Sequence, residues 1–375
     1  MYQRYVNILQ ELEQKNNLRK LPSRVPSQSI NLSSNDYLGL NNDIPLRNKF
    51  LNGILEKDTR ISAASSRLLT GNSDEYDNLE NNIAEAFDRE ACLIYNSGYH
   101  ANIGILPALA GKQDILIADK LVHASIVDGM QLSNAETKRY NHLDYNHLEL
   151  ILKTYRNNYD QAFIITESIF SMDGDSADLK RLIELKNKYR CFIYLDEAHA
   201  FGVYGPKGLG CADEYGCIAE CDFIVATFGK AMASMGAFVV CNHISKQYLV
   251  NHSRSLIFTT ALPPLNLAWT MFLLELFPSF EEKRKHLGEI SKEFSQWLGL
   301  PYHSHIIPFI TGSNESAINL SRSLQDAGIH VMPIRYPTVP KDKARLRFSL
   351  NADLTLSQLQ IIPSILKQYG SMLDK

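Results

Sequence analysis

Two short apolar runs near the middle of the chain end in residues that can do chemistry. The first, Cys191-Phe192-Ile193-Tyr194-Leu195, closes on Asp196-Glu197-Ala198-His199. The second, Phe223-Ile224-Val225-Ala226, closes on Thr227-Phe228-Gly229-Lys230. If both runs are parallel strands of an open α/β sheet, their carboxyl ends share one crevice, where such sheets bind ligands. Asp196, His199, Thr227 and Lys230 then face a common ligand. A lysine amine can hold an aldehyde as a Schiff base. A carboxylate beside a pyridine nitrogen keeps that nitrogen protonated. The set suits pyridoxal 5'-phosphate (PLP), whose protonated ring accepts the electrons of a carbanion.

For these residues to meet, the flanking chain must build a sheet. Cys92-Leu93-Ile94-Tyr95 ends at Asn96-Ser97-Gly98-Tyr99, with a helical pattern after it to Leu109. Ile115-Leu116-Ile117-Ala118 ends at Asp119, with His123 just beyond. Phe163-Ile164-Ile165 ends at Thr166-Glu167, and Ser171 follows. Short apolar runs alternating with helical segments predict βαβ units and a largely parallel sheet covered on both faces. Five strand ends thus bring Ser97, His123, Ser171, Asp196 with His199, and Thr227 with Lys230 to one edge. Ser97-Gly98-Tyr99 opens a helix whose free amides suit a phosphate, and Thr227 could add a hydroxyl. Ala237-Phe238-Val239-Val240 predicts a final strand after the lysine.

The expected fold is α/β: a large domain with a mainly parallel sheet between helices, plus a smaller C-terminal α+β domain. Residues 1–34 read as an N-terminal helix and arm, 35–262 as the large domain, and 263–375 as the small domain entered at Pro263-Pro264. Apolar residues make up 45% and charged residues 21% of the 375, an ordinary globular balance. The net charge of −3 and the scatter of basic residues predict no nucleic-acid surface. No apolar run approaches the ~18 residues that a membrane span needs, and Met1 to Lys20 lacks the apolar core of a signal peptide. A cytoplasmic protein with no membrane partner is expected. The six cysteines show no C-x-x-C spacing and no histidine pair follows them, so no metal site is predicted. Gly202, Gly205, Gly208 and Gly210 lack the dinucleotide-loop spacing.

The motifs, in order, resemble the α-oxoamine synthases, PLP enzymes of fold type I. They are Ser33-Ser34-Asn35-Asp36-Tyr37-Leu38-Gly39-Leu40, Asn96-Ser97-Gly98-Tyr99, Asp119-Lys120-Leu121-Val122-His123-Ala124-Ser125 and Ser171-Met172-Asp173-Gly174-Asp175. After them come Leu195-Asp196-Glu197-Ala198-His199, Thr227-Phe228-Gly229-Lys230, and Pro337-Thr338-Val339-Pro340 with Ala344-Arg345-Leu346-Arg347. The family condenses an amino acid with an acyl-CoA and releases CO₂ and CoA. The resemblance implies that Lys230 carries PLP and acts as the base, while Asp196 partners the pyridine nitrogen. It implies that His123 stacks on the ring, meets substrate and acts as a general acid. Ser171 and His199 resemble contacts to the phenolic oxygen. Gly98, Tyr99 and Thr227 resemble cofactor and phosphate contacts. Asn35 and Arg347 resemble anchors for the amino-acid carboxylate, and Arg19 and Thr338 acyl-side contacts.

Within the family, Arg19 and the compact length resemble members that join L-alanine to a pimeloyl thioester, on CoA or an acyl-carrier protein, in biotin biosynthesis. Tyr336-Pro337-Thr338-Val339-Pro340 also resembles members that make 5-aminolevulinate, and glycine C-acetyltransferase chemistry stays open. Ala200 and the stretch from Met232 to Met235 depart from the family's glycine-rich pattern. A non-catalytic partner subunit is the alternative of another class, although such subunits can lack the lysine that is present here. The family also implies a homodimer.

Overall fold

The computed structural model describes residues 2–22, 24–26, 28–55, 59–302 and 304–373, with side chains through residue 368. It forms two compact units. One comprises Met1–Tyr37, Met172–Gly174 and His286–Lys375; the other comprises Leu38–Ser171 and Asp175–Lys285. The smaller unit opens with the helix Gln3–Gln14 and the strand β1 (Ile30–Asn31).

The larger unit holds seven strands in one sheet: β2 (Ala91–Tyr95), β3 (Asp114–Asp119), β4 (Glu136–Tyr140), β5 (Gln161–Glu167), β6 (Phe192–Asp196), β7 (Phe223–Thr227) and β8 (Ala237–Cys241). Their order is β2-β8-β7-β6-β5-β3-β4. Only β8 runs against the rest, pairing antiparallel with both β2 and β7. The carboxyl ends of β2, β3, β5, β6 and β7 therefore lie along one edge, as the apolar runs imply. All five residues of β2 and of β8 are buried, and only Gln161 of β5 is exposed. Burial on both faces explains why these strands carry little alternation. The polar edge strand β4, Glu136-Thr137-Lys138-Arg139-Tyr140, is not foreseen in the sequence reading and buries only Tyr140.

Helices cover the sheet, and one close approach matters for the site. Helices Gly98–Leu109 and Ala124–Leu132 pack so tightly that a Cβ on Gly129 would lie 2.4 Å from the Asn102 carbonyl oxygen. Pro263-Pro264 marks a helix start rather than a change of unit. Pro264 begins the helix Pro264–Glu275, where a missing N–H costs nothing. Leu267 and Leu273 of that helix are fully buried, and the Leu262 N–H donates to the Tyr76 hydroxyl at 2.7 Å, all within the larger unit. This unit accordingly continues to Lys285.

The smaller unit adds β9 (Ile306–Gly312), β10 (Ile329–His330), β11 (Pro333–Ile334) and β12 (Ala344–Ser349). β12 is central in an antiparallel sheet with β9 and β11, and β1 pairs parallel with β10. Helices Asn314–Asp326 and Ile362–Leu373 complete its α+β character. No helix among the described residues is long and apolar enough to cross a membrane.

Candidate active site

The carboxyl edge of the large sheet opens into a cavity of about 160 Å³, near the ~150 Å³ that accepts a benzene-sized ring. Of the residues expected there, Gly98, Tyr99, His123, Asp196, His199, Thr227 and Lys230 line it. Asn102, Ser125, Glu167 and Ala198 line it as well, without having been assigned a role from sequence.

Each side chain is placed by the element before it. Lys230 lies three residues past β7, and its Nζ is 2.8 Å from His199 Nε2. Thr227, the last residue of β7, donates its hydroxyl to the Gly236 carbonyl at 2.9 Å and accepts the Gly229 N–H at 3.2 Å. Ser97 caps the helix Gly98–Leu109 by accepting the His100 N–H. Tyr99 in its first turn donates to Asp128 Oδ2 at 2.5 Å.

Asp196 ends β6 and is 6% exposed, so its charge needs fixed partners. It has two. The Ala198 N–H donates to Oδ1 at 2.9 Å, and Asn102 Nδ2 donates to Oδ2 at 3.0 Å. Asn102 also donates to Ser125 Oγ at 2.9 Å, while the Tyr194 hydroxyl donates to Asn102 Oδ1 at 2.6 Å. Ser125 in turn meets His123: its Oγ lies 2.8 Å from Nδ1, and its N–H donates to the same nitrogen at 3.2 Å. Burial pushes the His123 imidazole below its ordinary pKa, with Asp196 opposing and the Lys230 charge adding. The charged form of His123 is thus disfavoured at this site.

Glu167 ends β5 and is the register partner of Asp196 on β6. Its Oε1 accepts the His123 N–H at 2.5 Å, and the carboxyl also accepts the Ser171 N–H. Burial pushes Glu167 up to about 8, the neighbouring Asp196 charge adds, and Lys230 with the two amides opposes. Ser171 is buried and is not among the cavity-lining residues. It bonds Glu167 through its backbone instead.

A second charged cluster stands behind the His123 loop. His142 Nδ1 is 2.9 Å from Asp119 Oδ1, and Nε2 is 2.9 Å from Asp175 Oδ2. Although burial disfavours its charge, these two carboxylates raise His142 to about 10. Asp119 further accepts the N–H groups of Leu121 and Leu143, closing the turn that leads to His123.

Arg19, Asn35, Thr338 and Arg347 belong to the smaller unit. There Arg347 Nη1 donates to Asn35 Oδ1 at 3.1 Å, and Nη2 lies 3.4 Å from the Tyr37 hydroxyl. Arg19 Nη2 donates to Thr338 Oγ1 at 3.1 Å. Asn35 is thus hydrogen-bonded to Arg347, and Arg19 to Thr338.

The cavity fits the cofactor expected from sequence. A buried carboxylate would face a ring nitrogen, an amine would reach an aldehyde, and the helix start with Thr227 would take a phosphate. A lysine amine paired with an imidazole, and a carboxylate held by an amide, can move protons and oppose a positive ring.

Comparison with known proteins agrees with this chemistry. The family described as Aminotransferase class I and II matches residues 27–364. A protein of Glaesserella parasuis serovar 5 (strain SH0165), provisionally named 8-amino-7-oxononanoate synthase, is 54% identical over 333 residues, covering 87% of each chain. Serine palmitoyltransferase from S. paucimobilis, solved with a bound PLP–myriocin aldimine, gives a TM-score of 0.89 at 26% identity, covering 100% of this chain and 98% of that one. The 8-amino-7-oxononanoate synthase of Francisella tularensis gives 0.79 at 29% identity, covering 93% of this chain and 100% of that one.

Proposed function

The chain belongs to the aminotransferase class I and II family, and from that premise we propose that it is an 8-amino-7-oxononanoate synthase, joining L-alanine to a pimeloyl thioester in biotin biosynthesis. It is a PLP-dependent C-acyltransferase of fold type I. The observation that carries the reading is the Lys230 amine, 2.8 Å from the His199 imidazole, in the same cavity as the amide-held carboxylate of Asp196. The 54% identity to a relative of that name supports the choice of substrates. So does the Arg19–Thr338 pair, which offers a guanidinium and a hydroxyl to the acyl side.

When bound, PLP supplies an aldehyde for amines and a protonated ring that spreads the charge of a carbanion. The remaining work falls to side chains. The Lys230 amine would take the proton from the amino acid's α-carbon, and His199 at its Nζ holds the amine in place. Asn102 and the Ala198 amide hold the two oxygens of Asp196, whose carboxylate would face the ring nitrogen. His123, which lines the cavity, would offer the flat face of its imidazole to the ring and an N–H to the carbonyl oxygen of the thioester. Arg347, with Asn35, receives the amino acid's carboxylate, as guanidinium geometry favours. Carbon–carbon bond formation expels the thiol, and loss of the amino acid's carboxylate as CO₂ completes the balance.

The test is an assay of amino-acid and thioester pairs that follows free thiol and CO₂. Turnover with alanine and pimeloyl-CoA is the expected result. Turnover only with glycine plus succinyl-CoA, glycine plus acetyl-CoA, or serine plus palmitoyl-CoA would replace the substrate assignment. A protein that turns over no pair, yet activates another synthase, would be a partner subunit. We propose a homodimer on the family resemblance; sedimentation at the mass of a single 42.4 kDa chain would refute it.

A further inference from the structure

We propose that Asn102 is a positioning residue that sets two groups at once: the carboxylate of Asp196 and, through Ser125, the tautomer of His123. The cofactor arm of this inference rests on the PLP reading above, whereas the tautomer arm does not.

A polar residue sits here in an apolar place. Asn102 is 1% exposed, one helical turn after Gly98, in a helix whose neighbouring positions Ala101, Ile105 and Leu106 are fully buried. A buried amide is costly unless every donor and acceptor is used. Here they are used, and in one sense only. The Tyr194 hydroxyl donates to Oδ1, which fixes the amide's orientation and leaves Nδ2 as the end that donates. Its two hydrogens go to Asp196 Oδ2 at 3.0 Å and Ser125 Oγ at 2.9 Å.

The direction propagates. A serine oxygen that accepts from Asn102 has its own hydrogen free to donate, and His123 Nδ1 lies 2.8 Å away. The Ser125 backbone N–H, which can only donate, points at the same Nδ1 at 3.2 Å. Two donors on Nδ1 leave it as the acceptor, so the proton of the neutral ring must sit on Nε2. Asn102 thereby gives Asp196 a partner that cannot take its negative charge away, and gives His123 an N–H where a substrate carbonyl can use it. Gly129 permits this geometry, since any larger residue would push the Ser125 helix away from Asn102.

The test uses ¹⁵N-histidine NMR on the whole protein, without and with PLP, for wild type, Asn102→Ala and Ser125→Ala. The His123 signals are identified by their loss in His123→Gln. Wild type should show a bare Nδ1 and a protonated Nε2. Both variants should show a mixture of tautomers. Asn102→Ala should also weaken PLP by roughly tenfold and move the pH midpoint of the bound cofactor's visible absorption by about one unit, the scale of one hydrogen bond to a charge. Ser125→Ala should leave that midpoint near wild type. A merely structural role would lower the melting temperature of the variants without changing tautomer or midpoint. A wild-type ring protonated on Nδ1, or unchanged His123 signals in both variants, would overturn the proposal. Failure of wild type to take up PLP would refute the functional reading and leave the tautomer result standing.

Discussion

Asp196 and Glu197 are adjacent buried carboxylates that point into different environments. Asp196 faces the cavity, with a side-chain amide and one backbone N–H as partners. Glu197 faces the glycine-rich loop that follows. There Ser168 Oγ–H donates to it, as do the N–H groups of Cys211 at 3.1 Å and Ala212 at 2.7 Å. Burial pushes Glu197 up to about 7, against the pull of those three donors. The loop is shaped around it: Gly210 has φ of +116°, and a Cβ there would lie 2.7 Å from the Glu197 carboxyl carbon. One acid is presented to a ligand, whereas its neighbour is absorbed by backbone. The histidines divide the same way, His199 beside Lys230 in the cavity and His142 between two aspartates behind it.

That division can be broken or sharpened by substitution. The largest effect is expected on the cavity side. Lys230→Ala should lower turnover by roughly 10²- to 10⁴-fold, the range for a lost acid–base group, with a normal melting curve. Loss of fold instead would place Lys230 on the scaffold side. Asp196→Asn should follow at about 10²-fold or more, read as kcat with the cofactor saturating. Glu197→Ala should do the reverse, costing roughly 3 kcal/mol of stability by orphaning several donors. Its turnover per folded molecule should stay within a few-fold of wild type; a pure rate loss would erase the contrast.

The pH dependence should separate the two histidines more gently. Folding raises His142 from its ordinary 6.5 to about 10. A raised pKa means that the folded state holds the proton more tightly, so this stabilisation is complete below pH 6.5 and is lost by about pH 10. The melting-temperature gap between wild type and His142→Gln should therefore shrink steadily across that window. A gap independent of pH would mean that His142 is not the charged link between Asp119 and Asp175. The smallest effect is expected from Thr338→Ala, a few-fold rise in KM for the acyl thioester with kcat held, since the hydroxyl is exposed.

Much of this was legible in the sequence because strand ends carry the chemistry. Apolar runs located β2, β3, β5, β6, β7 and β8, and the polar residues after them marked the cavity. What escaped has physical causes. β4 is an edge strand with one buried residue, so it carries no apolar signal. The double proline looked like a boundary because proline breaks helices, yet it also starts them. Asn102 was hidden inside an apolar helix; the available signal was its place one turn after Gly98, on the face that looks into the cavity. Glu167 was visible as a strand end, but only its pairing with Asp196 across β5 and β6 shows why it matters. Ser171 was visible as a polar residue after β5, whereas the bond of its backbone N–H to Glu167 is one that no residue type can announce.

The central claim is that Lys230 is the residue that holds the cofactor aldehyde. The direct measurement is to load the purified protein with PLP, reduce it with borohydride, digest it and locate the phosphopyridoxyl label by mass spectrometry. One labelled peptide, carrying the modification on Lys230, is the predicted result. Absence of label, or label on a different lysine, would contradict the account.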